Sequence, residues 1–284
     1  MKIAVTAANG HLGSEIIDHL LKHTDPKNII GLARNPDKIK QTKIEKRKGD
    51  YDNINELMDS LNGVEVVLLV SGMAAPNTRI VQHKNVIEAA LANKVRKIVY
   101  TSIAGKRGIS SFDPIIKSNR QTEQDIIESG LEWAIGRNGL YIEPDIEFLD
   151  TYKKEGKIAN CAGNGLCSYT TRSELAYAYS QMIMNDDRNE HIYNLAGRAI
   201  TQKQLIAYLN KAFGTKLKYE EMTPKAYLDL QRSMNGEFLG TIIAGIYTKI
   251  KNGEFHVKSN FENAAGREHV SWEDYFEKIG RSKK

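Results

Sequence analysis

Val5-Thr6-Ala7-Ala8-Asn9-Gly10-His11-Leu12-Gly13 is the stretch from which the rest of the chain is read. It follows the apolar run Lys2-Ile3-Ala4-Val5 and opens a segment in which Leu12, Ile16, Ile17, Leu20 and Leu21 recur at the three-and-four spacing of a buried helix face. The order is strand, tight turn, helix. In such a turn glycines let the backbone approach a pyrophosphate, whose charge is met by free N–H groups and the positive end of the helix dipole. Read as G-x-x-G-x-x-G, the stretch has Ala7 in place of the first glycine and keeps Gly10 and Gly13; alanine fits there if the position keeps a negative φ. A dinucleotide is the implied ligand, with Thr6, Ala8, Asn9, Gly10, His11, Leu12 and Gly13 as candidate contacts.

Length and composition bound what can surround this turn. The chain has 284 residues, 41% apolar and 26% charged, enough for one large α/β unit with a smaller lobe and unlike a disordered chain. The net charge of +5 is modest, and its basic clusters, Lys43-Ile44-Glu45-Lys46-Arg47-Lys48 and Arg281-Ser282-Lys283-Lys284, read as solvated faces rather than a nucleic-acid footprint. The apolar run at the N-terminus is too short for a signal peptide, and no apolar stretch approaches the roughly 20 residues that span a bilayer. Two cysteines, Cys161 and Cys167, suit a reducing cytoplasm and form no recognisable metal motif. A cytoplasmic protein with no metal site is expected.

Taken in order, Ile29 to Ala33 reads as a second buried strand ending at Arg34. At this point of a dinucleotide fold an acidic residue selects a ribose 2′-hydroxyl and an arginine accommodates a 2′-phosphate. Arg34, with no acidic residue before it in the strand, favours NADP over NAD. Asp50, after a third short strand, is placed either to meet the adenine or to start a helix. Val64 to Val70 reads as a strand buried on both faces, and its end at Ser71-Gly72 should border the cofactor. His83, on the apolar side of the next helix, reads as a packed histidine rather than a ligand. Lys97 to Ser102 and Leu131 to Arg137 complete six strands, with a helix from Ile115 to Ser129 between them, capped by Gly130. Strand and helix alternate, so the fold class is α/β: a Rossmann-type doubly wound parallel sheet.

Beyond residue 140 the pattern changes to more helix and shorter strands. A division follows into a dinucleotide-binding unit, 1–140, and a smaller α/β substrate lobe, 141–284, from which segments can return to the first unit. Arg172 to Met184 reads as a helix, His191 to Leu195 as a strand, and Thr201 to Phe213 as a helix capped by Thr201. Phe238, Ile242, Ile243, Ile246, Tyr247 and Ile250 form an apolar stripe, read mainly as core and otherwise as a wall or lid over a pocket.

These residues together resemble a known family. The N-terminal turn, Ala33-Arg34-Asn35-Pro36, Gly49-Asp50-Tyr51, Val81-Gln82-His83-Lys84-Asn85-Val86, Tyr100-Thr101-Ser102, Thr122-Glu123, Arg137-Asn138-Gly139-Leu140-Tyr141, Thr171 to Leu175 and Tyr193 to Gly197 look like the NmrA-like branch of the short-chain dehydrogenases. Within it the likeness is to type 2 NAD(P)H:quinone oxidoreductases and triphenylmethane reductases. The resemblance implies NADP(H) held by Gly10, His11, Leu12, Gly13 and Arg34, with Asp50, Tyr51, Ser71, Gly72, Thr101 and Ser102 beside it. It also implies a quinone or cationic dye as acceptor. Asn119 stands where relatives usually carry His or Lys beside the nicotinamide; Lys117, two residues earlier, points from another side of the helix.

The chain is further read as lacking the Tyr-x-x-x-Lys pair with which ordinary short-chain dehydrogenases protonate a strongly basic alkoxide. A reduced quinone is a weakly basic phenolate that water can protonate, so close alignment suffices. The expected function is therefore NADPH-dependent hydride transfer to a quinone or similar conjugated electrophile. Lys117, Asn119 and Tyr141 are placed as positioning residues, and Asn138, Gly139 and Tyr141 as the pocket floor. A non-catalytic NADP(H) sensor and a nucleotide-sugar epimerase are the alternatives.

Overall fold

The computed structural model describes residues 1–282; Lys283 and Lys284 of the basic C-terminal run lie outside the described residues. The first half runs β1 (Ile3–Val5), α1 (His11–Leu20), β2 (Ile29–Ala33), β3 (Glu45–Lys48), α2 (Ile54–Ser60), β4 (Val66–Val70), α3 (Pro76–Ala92), β5 (Lys97–Ile103), α4 (Asp113–Glu128) and β6 (Glu132–Asn138). The second half adds β7 (Leu140–Tyr141), α5 (Glu143–Glu147), α6 (Leu149–Glu155), β8 (Lys157–Asn160), β9 (Tyr169–Thr170), α7 (Arg172–Met184) and β10 (His191–Leu195). It ends with α8 (Gln202–Phe213), β11 (Lys218–Glu221), α9 (Pro224–Lys251), α10 (Phe261–Ala265) and α11 (Trp272–Ser282).

Seven strands form one sheet in the order β10-β6-β5-β4-β1-β2-β3, and each pairing in it is parallel. The chain order reverses between β1 and β4, and ligands of such sheets bind outside the carboxyl ends of the strands at that switch point. Val5 pairs with Leu68 there, so the turn at Thr6–Gly13 and the loop after Val70 emerge side by side. The central strands are apolar on both faces because helices cover both. α1, α7 and α10 bury Ile16, Ile17, Tyr179 and Phe261 on one side, while α2, α3 and α4 bury Leu57, Val86 and Ile126 on the other. β3, at one edge, is short and charged, a composition that discourages further strand pairing.

The seventh strand comes from the second half: β10 pairs with β6, and α7 and α10 pack on the same face as α1. The remaining C-terminal elements surround a separate core of Phe112, Ile116, Leu149, Ile158, Leu209, Phe255 and Phe276. Thr201 caps α8 in a capping box with Gln204. The apolar stripe of α9 departs from a core helix. Gly236, at φ +76, breaks α9, and Gly240 backs onto Gln231, so the two halves form a hairpin. Ile250 is buried, but Phe238 is 56% exposed and Leu239 and Met234 are exposed beside it. Helical spacing cannot reveal a break that lies within an otherwise continuous periodic run.

Candidate active site

The turn after β1 is closed by Gly10 N–H donating to the Ala7 carbonyl at 2.9 Å, and Ala8 N–H ties it to Leu32 at 2.9 Å. Ala7 sits at φ +47, so the expected negative φ is corrected: alanine occupies a left-handed position that favours glycine, at a cost of about 1 kcal/mol. Gly13 is required by packing, since a Cβ there would lie 2.6 Å from the Ala7 oxygen. Asn9, Gly10 and His11 are exposed, whereas Ala8 and Leu12 are buried beneath. α1 has neither a side-chain cap nor an acidic residue in its first turn. Its leading N–H groups therefore remain free for an anion, and this open cradle fits a pyrophosphate.

Arg34, just past β2, is exposed and makes no ion pair with the described residues. Asp50 accepts the Asp52 N–H at 3.2 Å, while Asn53 caps α2; Asp50 is thus a turn residue and not the helix cap. Thr6 is buried, and its hydroxyl donates to the Leu68 carbonyl at 2.9 Å and accepts the Val70 N–H at 2.9 Å. The Tyr51 hydroxyl lies 2.5 Å from it and 2.8 Å from the Val70 carbonyl. The Thr6 hydroxyl is fully used and the single Tyr51 proton is spent within this group, so Thr6 and Tyr51 fix the ends of β1 and β4 through their side chains. A groove of about 500 Å³ flanks the outer side of the turn, lined by Asn9, Gly10, His11, Glu15, Lys40 and Lys43 among others.

Beyond β4 the polar residues converge. Thr101 accepts the Ser71 N–H at 2.8 Å, and the Gly72 N–H donates to His83 Nε2 at 3.0 Å. The other ring nitrogen of His83 then carries the proton and lies 3.0 Å from Thr122 Oγ1. Burial, helped by the charge of Arg79, lowers the His83 pKa to about 3, so the ring stays neutral as the packed histidine expected of it. Asn119 is buried with its amide oxygen accepting from the Tyr100 hydroxyl at 2.7 Å and from Ser71 Oγ at 3.2 Å. Its amide nitrogen donates to Ile115 at 2.8 Å. Lys117 is corrected here: it is exposed, turned away from the buried Asn119 face of α4. Tyr100, the hub, was not among the sequence candidates. Its signal was strand alternation, which puts it on the same face as Ser102.

Ser102 points into a charged cluster behind Asn119. Its hydroxyl donates to Glu123 at 2.5 Å, and Glu123 is held by Arg120 at 2.7 Å and Arg137 at 2.5 Å. Every strong acceptor of Glu123 is thereby used in joining α4 to the ends of β5 and β6. At the opposite helical layer, Asn138 accepts from the Tyr179 hydroxyl at 2.6 Å and reaches the Tyr141 hydroxyl at 3.4 Å. A Cβ at Gly139 would lie 2.4 Å from the Ser168 oxygen. Tyr141 packs with the α1 and α7 core, and burial pushes its pKa up to about 12. Tyr141 and Asn119 thus approach the sheet edge from opposite faces and share no bond.

The expected lack of Tyr-x-x-x-Lys also needs correction: Tyr247 and Lys251 on α9 have that spacing. The pair does not form a proton-donating site. Tyr247 packs edge-on to Tyr227 and burial holds its hydroxyl well above its usual range, while Lys251 is exposed and paired with Glu221 at 3.2 Å. On α4, where the fold would bring such a pair to the sheet edge, the four-residue spacing is filled by Ile115 and Asn119.

A parallel sheet with an open phosphate cradle at its switch point defines a dinucleotide-binding protein. Residues 7–159 match the family model described as NAD(P)H-binding, and the chain belongs to this family of NAD(P)H-dependent oxidoreductases. It is 33% identical over 229 residues to quinone oxidoreductase 2 of Escherichia coli K12, covering 78% of each chain. The solved structure of the E. coli NADPH-dependent quinone oxidoreductase QOR2 with NADPH superposes with a TM-score of 0.88 at 28% identity, covering 98% of this chain and 99% of that one. Triphenylmethane reductase of Citrobacter sp. with NADP(H) gives a TM-score of 0.89 at 29% identity, covering 98% and 100%. No described helix is long and apolar enough to cross a membrane.

Proposed function

We propose that the chain is an NADPH-dependent reductase of quinones or similar conjugated electrophiles. The observation that carries this reading is the cluster of Ser71, Asn119 and Tyr100, in which no group is an effective general acid near neutral pH and the Tyr100 proton is committed to Asn119. Asn119 is an amide, and burial holds the Tyr100 hydroxyl well above its usual range. Such a site suits an acceptor whose reduced oxygen is weakly basic.

In this reading the free N–H groups of α1 and the turn residues Ala8 to Gly13 hold the pyrophosphate, and Arg34 meets a 2′-phosphate. Asp50, Gly72, Thr101 and the backbone of Thr6 and Tyr51 border the adenosine side. When bound, NADPH supplies a hydride, two electrons with one proton, and water supplies the second proton of the hydroquinone. Ser71 and Asn119 orient one side of the site; Asn138, Gly139 and Tyr141 shape its floor. Residues 141–284 then act as the substrate lobe, apart from α7, β10 and α10, which return to the sheet. The relatives named above support the acceptor class by their names alone. The test is purified protein with NADPH and a quinone panel, followed by loss of nicotinamide absorbance. Steady turnover is expected; tight NADPH binding with no turnover on any quinone would replace the reductase by a sensor.

A further inference from the structure

Arg79 is 4% exposed, and no described carboxylate forms an ion pair with it. Its Nε is buried without a partner. One terminal nitrogen donates to the Ala74 carbonyl at 3.1 Å and the other lies 3.5 Å from Ser118 Oγ. A buried guanidinium held only by neutral oxygens is costly, and an anion would relieve that cost. Ala74 immediately precedes the helix cap, so the guanidinium sits at the N-terminus of α3, as the backward tilt of helical side chains requires. That terminus is itself unsatisfied. Its cap is Ala75, no side chain caps it, its first turn has no acidic residue, and Pro76 leaves the N–H groups of Asn77 and Thr78 to lead the helix. Asn77 and Thr78 are exposed, so the end opens to solvent.

We propose that Arg79 and the first turn of α3 form a subsite for a carboxylate or like anionic substituent on the electron acceptor. The location supports an acceptor rather than an unrelated ion. Ala74 belongs to the loop that carries Ser71, and Ser118 adjoins Asn119, so the subsite borders the cluster assigned above to acceptor alignment. The inference rests on the reductase reading for its substrate, but not for its anion.

The test compares 1,2-naphthoquinone-4-sulfonate with unsubstituted 1,2-naphthoquinone as acceptors for wild type and Arg79→Gln. The ratio of kcat/KM for the sulfonated over the unsubstituted quinone should fall roughly tenfold to a hundredfold, the usual consequence of losing a charge-assisted bond. An unchanged ratio overturns the subsite. Ser118→Glu provides a second route if Arg79→Gln fails to fold: it supplies a carboxylate opposite Arg79 and should remove the preference for the anionic quinone while raising the melting temperature. A preference retained in folded Ser118→Glu also overturns the proposal. Calorimetric binding of naphthalene-2-carboxylate to the NADP⁺-loaded protein separates the two readings. Binding that Arg79→Gln weakens supports the subsite even if no quinone is reduced, and equal binding by both proteins refutes it even if quinones turn over.

Discussion

Asp145→Asn should stabilise the protein above pH 6 and have little effect below pH 4. Asp145 is buried in α5, and its one side-chain bond comes from the Tyr152 hydroxyl at 3.1 Å. The groups facing it, Tyr152, Tyr169, Tyr227, Tyr247 and Cys167, are uncharged near neutrality because burial raises the pKa of each. Burial pushes the Asp145 pKa up from 3.8 to about 6. Because the acid is raised in the folded state, the neutral carboxyl is present below about 4 in both states and carries no penalty. Between those two values the folded state holds its proton more tightly, and stability falls as pH rises. Above about 6 the full penalty applies, on the order of 3 kcal/mol. Asparagine keeps the oxygen that accepts from Tyr152 and never ionises. Urea unfolding of both proteins from pH 4 to 8 isolates the difference, since other carboxylates cancel. The gap should open from near zero to about 2–3 kcal/mol; parallel curves across that range would refute the assignment.

Arg34→Ala should weaken NADPH roughly tenfold to a hundredfold and leave NADH nearly unchanged by calorimetry, given about 1.5–3 kcal/mol for an arginine–phosphate bond; equal losses would remove Arg34 from the 2′-phosphate. Ala7→Gly should raise stability by about 0.5–1 kcal/mol in urea unfolding by relieving the left-handed alanine, and a loss would show that the turn tolerates alanine without strain. Asn119→Ala should lower kcat/KM for a quinone about tenfold through poorer alignment, well short of the hundredfold to ten-thousandfold loss of a general acid. Lys117→Ala, altered on the exposed side of α4, should change it less than about twofold; a collapse in the latter would return Lys117 to the site.

The layout of the sheet could be read from sequence because its central strands β1, β4 and β5 are short and apolar, and each is followed by a helix with buried residues on the side facing the sheet. Ile29 to Ala33 and Val66 to Val70 are buried along nearly their whole length, as expected of strands in a parallel sheet covered on both faces. His83 was equally readable, since a histidine on an apolar stripe must find internal partners. The side of α4 facing the sheet was harder. Lys117 and Asn119 are two residues apart, and a small error in where the helix begins exchanges the exposed side for the buried one. Thr6 and Tyr51 show a different limit. Motif position puts them near a cofactor, but their hydroxyls face each other across the ends of β1 and β4, a pairing made by strands distant in sequence.

The two arginines that carry proposals differ in what could have revealed them. Arg34 lies at the strand end that meets the adenosine ribose in this type of fold, so its position in the sequence is enough to propose its role. Arg79 lies within a helix, three residues after a proline, and its sequence neighbours Thr78 and Ile80 give no sign that it turns inward. Only the packing of α3 on α4 brings Ser118, and not an acidic side chain, to the guanidinium. The absence of a counter-ion there is a tertiary property. It also explains why the two are tested differently: Arg34 should discriminate between cofactors that differ by one phosphate, whereas Arg79 should discriminate between acceptors that differ by one acidic group. In the reductase proposed above, with neutral groups around the reacting atoms, selectivity would rest in such flanking charges, because they act on binding without having to exchange a proton.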